Sequence, residues 1–239
     1  LIKERSLDLE LIWQGIKEAF WLMVTFDPEV LGITLRSLQV STLATLLALV
    51  TGVPLGIFLA LNNFPGRKMV VSLVNTGMAF PPVAIGLWVS IFLWRSGPLG
   101  SLQLIFTPAA LVLAQFIIAF PLVTAFTMAG IQQLNPKLHL QIWALGATKW
   151  QYLKAIVRET RLPLLAAVIA GFGAVISEVG ASMMVGGNVK GSTRVLTTAT
   201  VLEVAKGNFG KAMALTVILM TIAYLITLGL TLIQQQERK

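Results

Sequence analysis

Long uncharged runs separated by short polar punctuation set the organisation of this chain. No Asp, Glu, Lys or Arg occurs from Ser37 to Gly66, from Met69 to Trp94, from Ser96 to Pro136 or from Leu162 to Ser177. About 20 apolar residues suffice for a helix to cross the hydrocarbon core. The pattern therefore predicts an all-α membrane protein with spans at about 37–61, 69–94, 108–131, 163–185 and 212–233. Asn62, Pro65, Gly66, Arg67 and Lys68 form one predicted turn, and Arg95, Gly97, Pro98 and Gly100 another. Pro81 and Pro82 interrupt the hydrogen-bond ladder of the second span and predict a kink. Glu178 is the lone charge of the fourth span.

The N-terminal region has a different period. Leu9, Ile12, Trp13, Ile16, Phe20 and Met23 recur at helical spacing, with Glu10, Gln14, Lys17 and Glu18 elsewhere on the wheel. Glu10, Lys17 and Glu18 in so short a segment make crossing the bilayer costly, so residues 8–26 read as an amphipathic helix at the interface or against a partner, with a spanning helix as the alternative. No short apolar region followed by a small-residue cleavage site opens the chain, so no removable signal is expected. Residues 186–211 are rich in glycine and charge, with Thr197–Lys206 predicted as a short helix outside the bilayer core.

Residues 135–163 form a polar, basic island. Asn135 followed by Pro136 is an N-cap with proline at the first helical position. Gly146 follows Leu145 and supplies the left-handed residue that ends a helix. Thr148 and Gln151 have capping-box spacing, so a second helix starts at once and runs towards Pro163. Two short helices with Lys149, Lys154, Arg158 and Arg161 also fit a DNA-reading helix-turn-helix. A loop tethered at both ends to membrane spans is poorly placed to enter a major groove, which argues against that class.

The island resembles the cytoplasmic loop shared by membrane subunits of ATP-driven importers, whose pattern is Glu-Ala-Ala, three residues, Gly, nine residues, Ile, one residue, Leu-Pro. Gly146 matches, and Leu162 and Pro163 supply the Leu-Pro four residues further from Gly146 than the pattern has it; the Glu-Ala-Ala positions hold Leu140, Gln141 and Ile142, and Thr160 stands two before Leu162 where the pattern has Ile. Ser177–Ala212 is similar to the oxyanion branch of these permeases, tungstate and molybdate types above all, and GVPLG at 52–56, FPGR at 64–67 and RSGPLG at 95–100 extend the resemblance. It implies a type-I importer transmembrane domain over 32–233, an N-terminal segment 1–31, a coupling loop 135–162 and a cytoplasmic tail 234–239. It further implies that Leu140, Gln141, Ile142, Gly146, Ala147, Thr148, Leu162 and Pro163 couple to an ATPase. Ser177, Glu178, Ser182, Asn188 and Lys190 are expected to line or gate the substrate path. Expected partners are a second copy of the chain, a cytoplasmic ATPase dimer carrying ATP and Mg, an external binding protein and membrane lipid, at a prokaryotic inner membrane.

Composition narrows the alternatives. Hydrophobic residues make up 56% of the 239 positions and charged ones 12%, half the share of a typical soluble domain. The net charge of +8 reads as juxtamembrane Lys and Arg facing anionic lipid rather than a nucleic-acid footprint. With the island inside, nine of the 18 Lys and Arg lie on the inner side, so charge alone leaves orientation open. There is no cysteine, and one histidine with ten scattered acids provides no metal-ligand cluster and no cofactor site. His139 has no nucleophile or orienting group in sequence reach, and no phosphate-binding Gly-x-x-x-x-Gly-Lys motif occurs, so neither catalysis nor ATP hydrolysis is expected of this chain. A secondary transporter or channel for a small anion is the rival; such proteins use intramembrane ionisable groups or internal repeats, and only Glu178 is on offer. A plain membrane anchor would explain the island but not the Gly- and Pro-bearing spans.

Overall fold

The computed structural model describes residues 13, 15–22, 24, 25 and 27–236, and every regular element among them is helical. In chain order these are α1 (15–22), α2 (Pro28–Leu61), α3 (Arg67–Ala79), α4 (Pro82–Leu93), α5 (Pro108–Gln132), α6 (Pro136–Ala144), α7 (Lys149–Glu159), α8 (Arg161–Ile176), α9 (Gly180–Gly186), α10 (Leu196–Ala205) and α11 (Phe209–Gln236). Helices α2, α5 and α11 are long and apolar enough to cross a membrane. The bent pairs α3 with α4 and α7 with α8 raise the number to five if each is one span. Leu9, Glu10, Ile12, Gln14 and Met23 of the predicted N-terminal stripe, and residues 237–239 of the predicted tail, lie outside the described residues.

Several boundaries differ from the expected ones, each for a local reason. Helix α2 begins at Pro28, well before residue 37, because Asp27 caps it: its Oδ1 accepts the Val30 N–H at 2.9 Å. The predicted kink in the second span is a full break, with Phe80 and Pro81 both extended at ψ 131° and 125°. The fourth span is not one helix to 185, since α8 stops at Ile176 and α9 restarts at Gly180. The second island helix ends at Glu159, and α8 leaves it at an angle of 65°. Thr160 makes that bend: it is buried, and its hydroxyl donates to the Ile156 carbonyl at 2.8 Å.

The chain divides into two compact units. One comprises the chain up to Leu43, Pro81–Gln115 and Ile176–Leu228. One apolar cluster in it joins Ala19 and Leu22 of α1, Val30 and Ile33 of α2, Leu196 and Ala199 of α10, and Ala214, Leu215 and Ile218 of α11. Of the apolar stripe predicted for the N-terminal segment, Trp13, Ile16 and Phe20 are exposed rather than packed within the chain, as a face turned to an interface or a partner would be. Gly15 packs on Met213, leaving no room for a Cβ. Small residues allow that approach between helices, where lipid removes the usual advantage of burying bulky ones. Helices α4 and α9 meet the same way, with a Cβ on Gly86 falling 2.6 Å from the Ala181 Cα.

The other unit comprises Ala44–Phe80, Phe116–Val175 and the chain from Gly229. Gly52 and Gly56 of α2 lie four apart on one face and meet α5. A Cβ on Gly56 would fall 2.7 Å from both the Thr124 carbonyl oxygen and the Thr127 Cβ. Leu59, Val74, Ala125 and Met128 form one buried cluster in it. The Arg67 side chain donates to the Leu59 carbonyl at 2.8 Å, occupying one of the free carbonyls at the end of α2.

Candidate functional site

The island folds as a capped hairpin within the second unit. The Asn135 side chain accepts the Lys137 N–H at 2.9 Å and opens α6. At its other end Gly146 takes φ +72°, with Gly146 N–H donating to Trp143 O and Ala147 N–H to Ile142 O, the paired bonds of a Schellman motif. Thr148 and Gln151 complete the reciprocal capping box that opens α7. Aromatic packing holds the two helices together: Trp143 stacks on Tyr152 at 4.9 Å, and Tyr152 Oη lies 2.7 Å from His139 Nδ1. Burial raises the Tyr152 phenol above its ordinary pKa. The hairpin thus turns outward a rigid tip with Leu140 70%, Leu145 87% and Trp150 82% exposed. Gln141, Gly146 and Thr148 are exposed beside them, with Ile142 and Ala147 half-buried. Leu162 and Pro163 sit elsewhere, half-buried at the base of α8. Pro163 packs on Gly130, and the Leu162 carbonyl accepts from Gln234 Nε2 at 3.2 Å.

The path candidates all fall in the first unit but do not form one cluster. Ser177 is exposed. Glu178, 8% exposed, is tied to its own helix start: Oε1 accepts the Ala181 N–H at 2.8 Å, and its backbone carbonyl accepts the Thr197 hydroxyl at 2.8 Å. Ser182 is buried in a polar line that no sequence pattern announced, with Ser41 Oγ donating to Gln115 Oε1 at 3.1 Å and Gln115 Nε2 donating to Ser182 Oγ at 3.4 Å. Lys190 pairs with Glu29 at 3.2 Å rather than with Glu178.

Glu29 is itself a centre that sequence reasoning missed. Arg194 approaches the same carboxylate at 3.4 Å and Lys211 at 4.0 Å, and Arg36 donates to the Gly191 carbonyl at 2.9 Å. Together they staple loop 187–194 to α2. The loop is built on left-handed residues, Gly187 at φ +63°, Asn188 at +52° and Gly191 at +77°. The buried Thr193 hydroxyl bridges it by donating to the Gly186 carbonyl and accepting the Val189 N–H. Three cations around one carboxylate leave local positive excess, and the buried Arg194 Nε retains a donor without a partner. In α10 Glu203 is held below the ordinary carboxylate range by hydrogen bonds from Asn208, first, and Lys206, each at 2.9 Å. The signal for Glu29 was present: Asp27-Pro28 repeats the Asn135-Pro136 cap, and extending α2 back to it brings Glu29 into the first turn.

Helices of spanning length with a capped, rigid extramembrane hairpin define a polytopic helical membrane protein. Residues 52–239 match the family described as binding-protein-dependent transport system inner membrane components. The tungstate uptake system permease protein TupB of Peptoclostridium acidaminophilum is 37% identical over 228 residues, 95% of this chain and all of the relative. That of Campylobacter jejuni is 36% identical, covering 92% of each. The molybdenum transport system permease protein ModB of Escherichia coli is 28% identical over 80% of this chain and 87% of the relative. In structure the chain is similar to a bacterial transporter involved in alginate import (TM-score 0.77, 18% identity, 98% of this chain, 90% of the other). It is also similar to the MetNI methionine transporter (TM-score 0.71, 19% identity, 91% and 97%). The chain belongs to the binding-protein-dependent transport system inner membrane component family and is a multi-pass permease subunit of the inner membrane.

Proposed function

We propose that this permease subunit carries a tetrahedral oxyanion, tungstate before molybdate, inward as part of an ATP-driven importer. The observation that carries the substrate is the similarity to tungstate permeases along almost the whole of both chains, set against lower identity to the molybdenum permease. The geometry supports the importer class. A hairpin with exposed apolar residues at Leu140 and Leu145 is suited to seat in a groove on an ATPase subunit, which supplies the ATP and Mg site. Gly146 sets the angle between its helices; Leu162 and Pro163 act behind it, at the base of α8, rather than at the contact. Loop 187–194 provides the donors an oxyanion needs, from Lys190 and Arg194 over a carboxylate that leaves them in excess. Glu178 and Ser182 position α9 by the hydrogen bonds described. An external binding protein delivers the anion, and two copies of the chain form the path.

The test is uptake by proteoliposomes containing the chain, its ATPase and tungstate-loaded binding protein. The expected outcome is ATP-dependent tungstate accumulation that excess molybdate reduces and sulfate leaves intact. Accumulation without ATP would establish the secondary-transport alternative instead.

A further inference from the structure

We propose that the second unit contains a binding site for an anionic phospholipid, formed where α7 lies beside the C-terminal part of α2. Two residue stripes of helical spacing face each other there: Ile57, Phe58 and Leu61 on α2, and Trp150, Leu153 and Val157 on α7. Between them runs an open groove of about 600 Å³. Its lining is apolar apart from Asn62 and Lys154. On the other flank of α7 a second pocket, about 680 Å³, is lined by Gln151, Lys154, Arg158 and Arg161, with Glu159 the one carboxylate among them. Lys154 belongs to both.

An apolar trough that meets a cationic pocket at one shared lysine has the polarity of a lipid: acyl chain on one side, phosphate on the other. The position fits the same chemistry. Helix α2 ends at Leu61, and the uncharged run of α8 begins directly after Arg161, so both features lie where apolar helices leave the bilayer. Trp150 stands 82% exposed, and tryptophan, with an apolar ring system and one polar N–H, settles at that depth. Three basic groups against one acid favour an anionic headgroup over a zwitterionic one. A free phosphate would use the basic pocket and leave the groove empty. The inference rests on the chain being embedded in a membrane, not on its substrate or on its coupling to an ATPase.

The experiment is to purify the permease with its partner subunits from membranes of mixed composition and quantify phosphatidylglycerol against phosphatidylethanolamine by mass spectrometry. Phosphatidylglycerol is expected to be enriched over the bulk membrane. Lys154→Gln with Arg158→Gln lowers that enrichment on the order of tenfold, the size expected for removing two cations beside an anionic headgroup. Val157→Trp, which fills the groove and leaves the cations in place, lowers total retained lipid. Lys137→Gln, a basic residue of the hairpin outside both pockets, leaves retention unchanged. Gel filtration of each variant confirms that it remains assembled. Equal loss in the Lys137 variant, or no loss in the double variant, overturns the proposal. Enrichment that disappears whenever the ATPase is bound overturns it as well, by assigning the groove to the ATPase surface.

Discussion

Glu178 shows how a single intramembrane charge reads differently once its neighbours are known. In the sequence it is the lone charge of a span and one of the residues expected to line or gate the substrate path. The carboxylate accepts the Ala181 N–H at the start of α9, while Lys190 lies on Glu29. An amide oxygen accepts that bond equally well, so Glu178→Gln is expected to keep uptake and the stimulation of ATP turnover by loaded binding protein. Glu178→Ala leaves the N–H without its partner and is expected to lower stability by about 1 kcal/mol, the usual size of a lost cap. Thermal unfolding in detergent and ATPase assays measure the two; a Gln variant whose ATPase no longer answers to the binding protein would show that the charge itself is used. Single residues were the least legible level of this sequence. Glu29 and the Ser41–Gln115–Ser182 line depend on partners brought together from distant segments, and no local spacing encodes that.

Elements were far more legible, wherever a helix begins or ends through its own residues. The caps at Asn135, Gly146 and Thr148 are short-range hydrogen bonds, and all three occur in the structure. The break at Pro81 and the stop at Ile176 were less so: a proline announces a disturbance, but surrounding packing decides between kink and break, and no proline or glycine stands between Ile176 and Val179. Gly146 gives the element-scale prediction. Nothing lies within 4 Å of the position its Cβ would take, so the only penalty for a side chain is the left-handed backbone at φ +72°. That penalty is roughly 1 kcal/mol or more for ordinary residues, largest for β-branched ones and smaller for Asn. Gly146→Val is expected to tilt α6 against α7 while expression and membrane insertion stay normal, lowering uptake per ATP, with Gly146→Asn the milder change. Near-normal coupling in both at matched membrane levels would reduce Gly146 to a spacer.

At the scale of the whole molecule, the question is what the chain leaves uncovered. The most apolar window of α5 is 56% buried by the chain itself, that of α2 33% and that of α11 only 6%. Met220, Tyr224, Leu225, Leu232 and Ile233 of α11 are all exposed. Lipid accepts such surfaces without penalty, so their exposure alone does not require a neighbour. A transport path does: it needs a continuous wall, and the described residues offer three spans, or five if each bent pair is one. A second copy related by a two-fold axis is the most economical closure, because one surface then serves both sides of the interface. Under that proposed symmetry two hairpins would face the cytoplasm, one for each of two ATPase subunits. Light scattering of the complex in mild detergent is therefore expected to give two permease and two ATPase chains, and cross-linking to join permease to permease. Charge reversal within the basic pocket of α7 should leave that stoichiometry unchanged, since the pocket faces lipid in our reading rather than the second copy. A monomer that moves tungstate across liposomes in the absence of ATP would overturn both the two-fold path and the assignment of the hairpin to an ATPase.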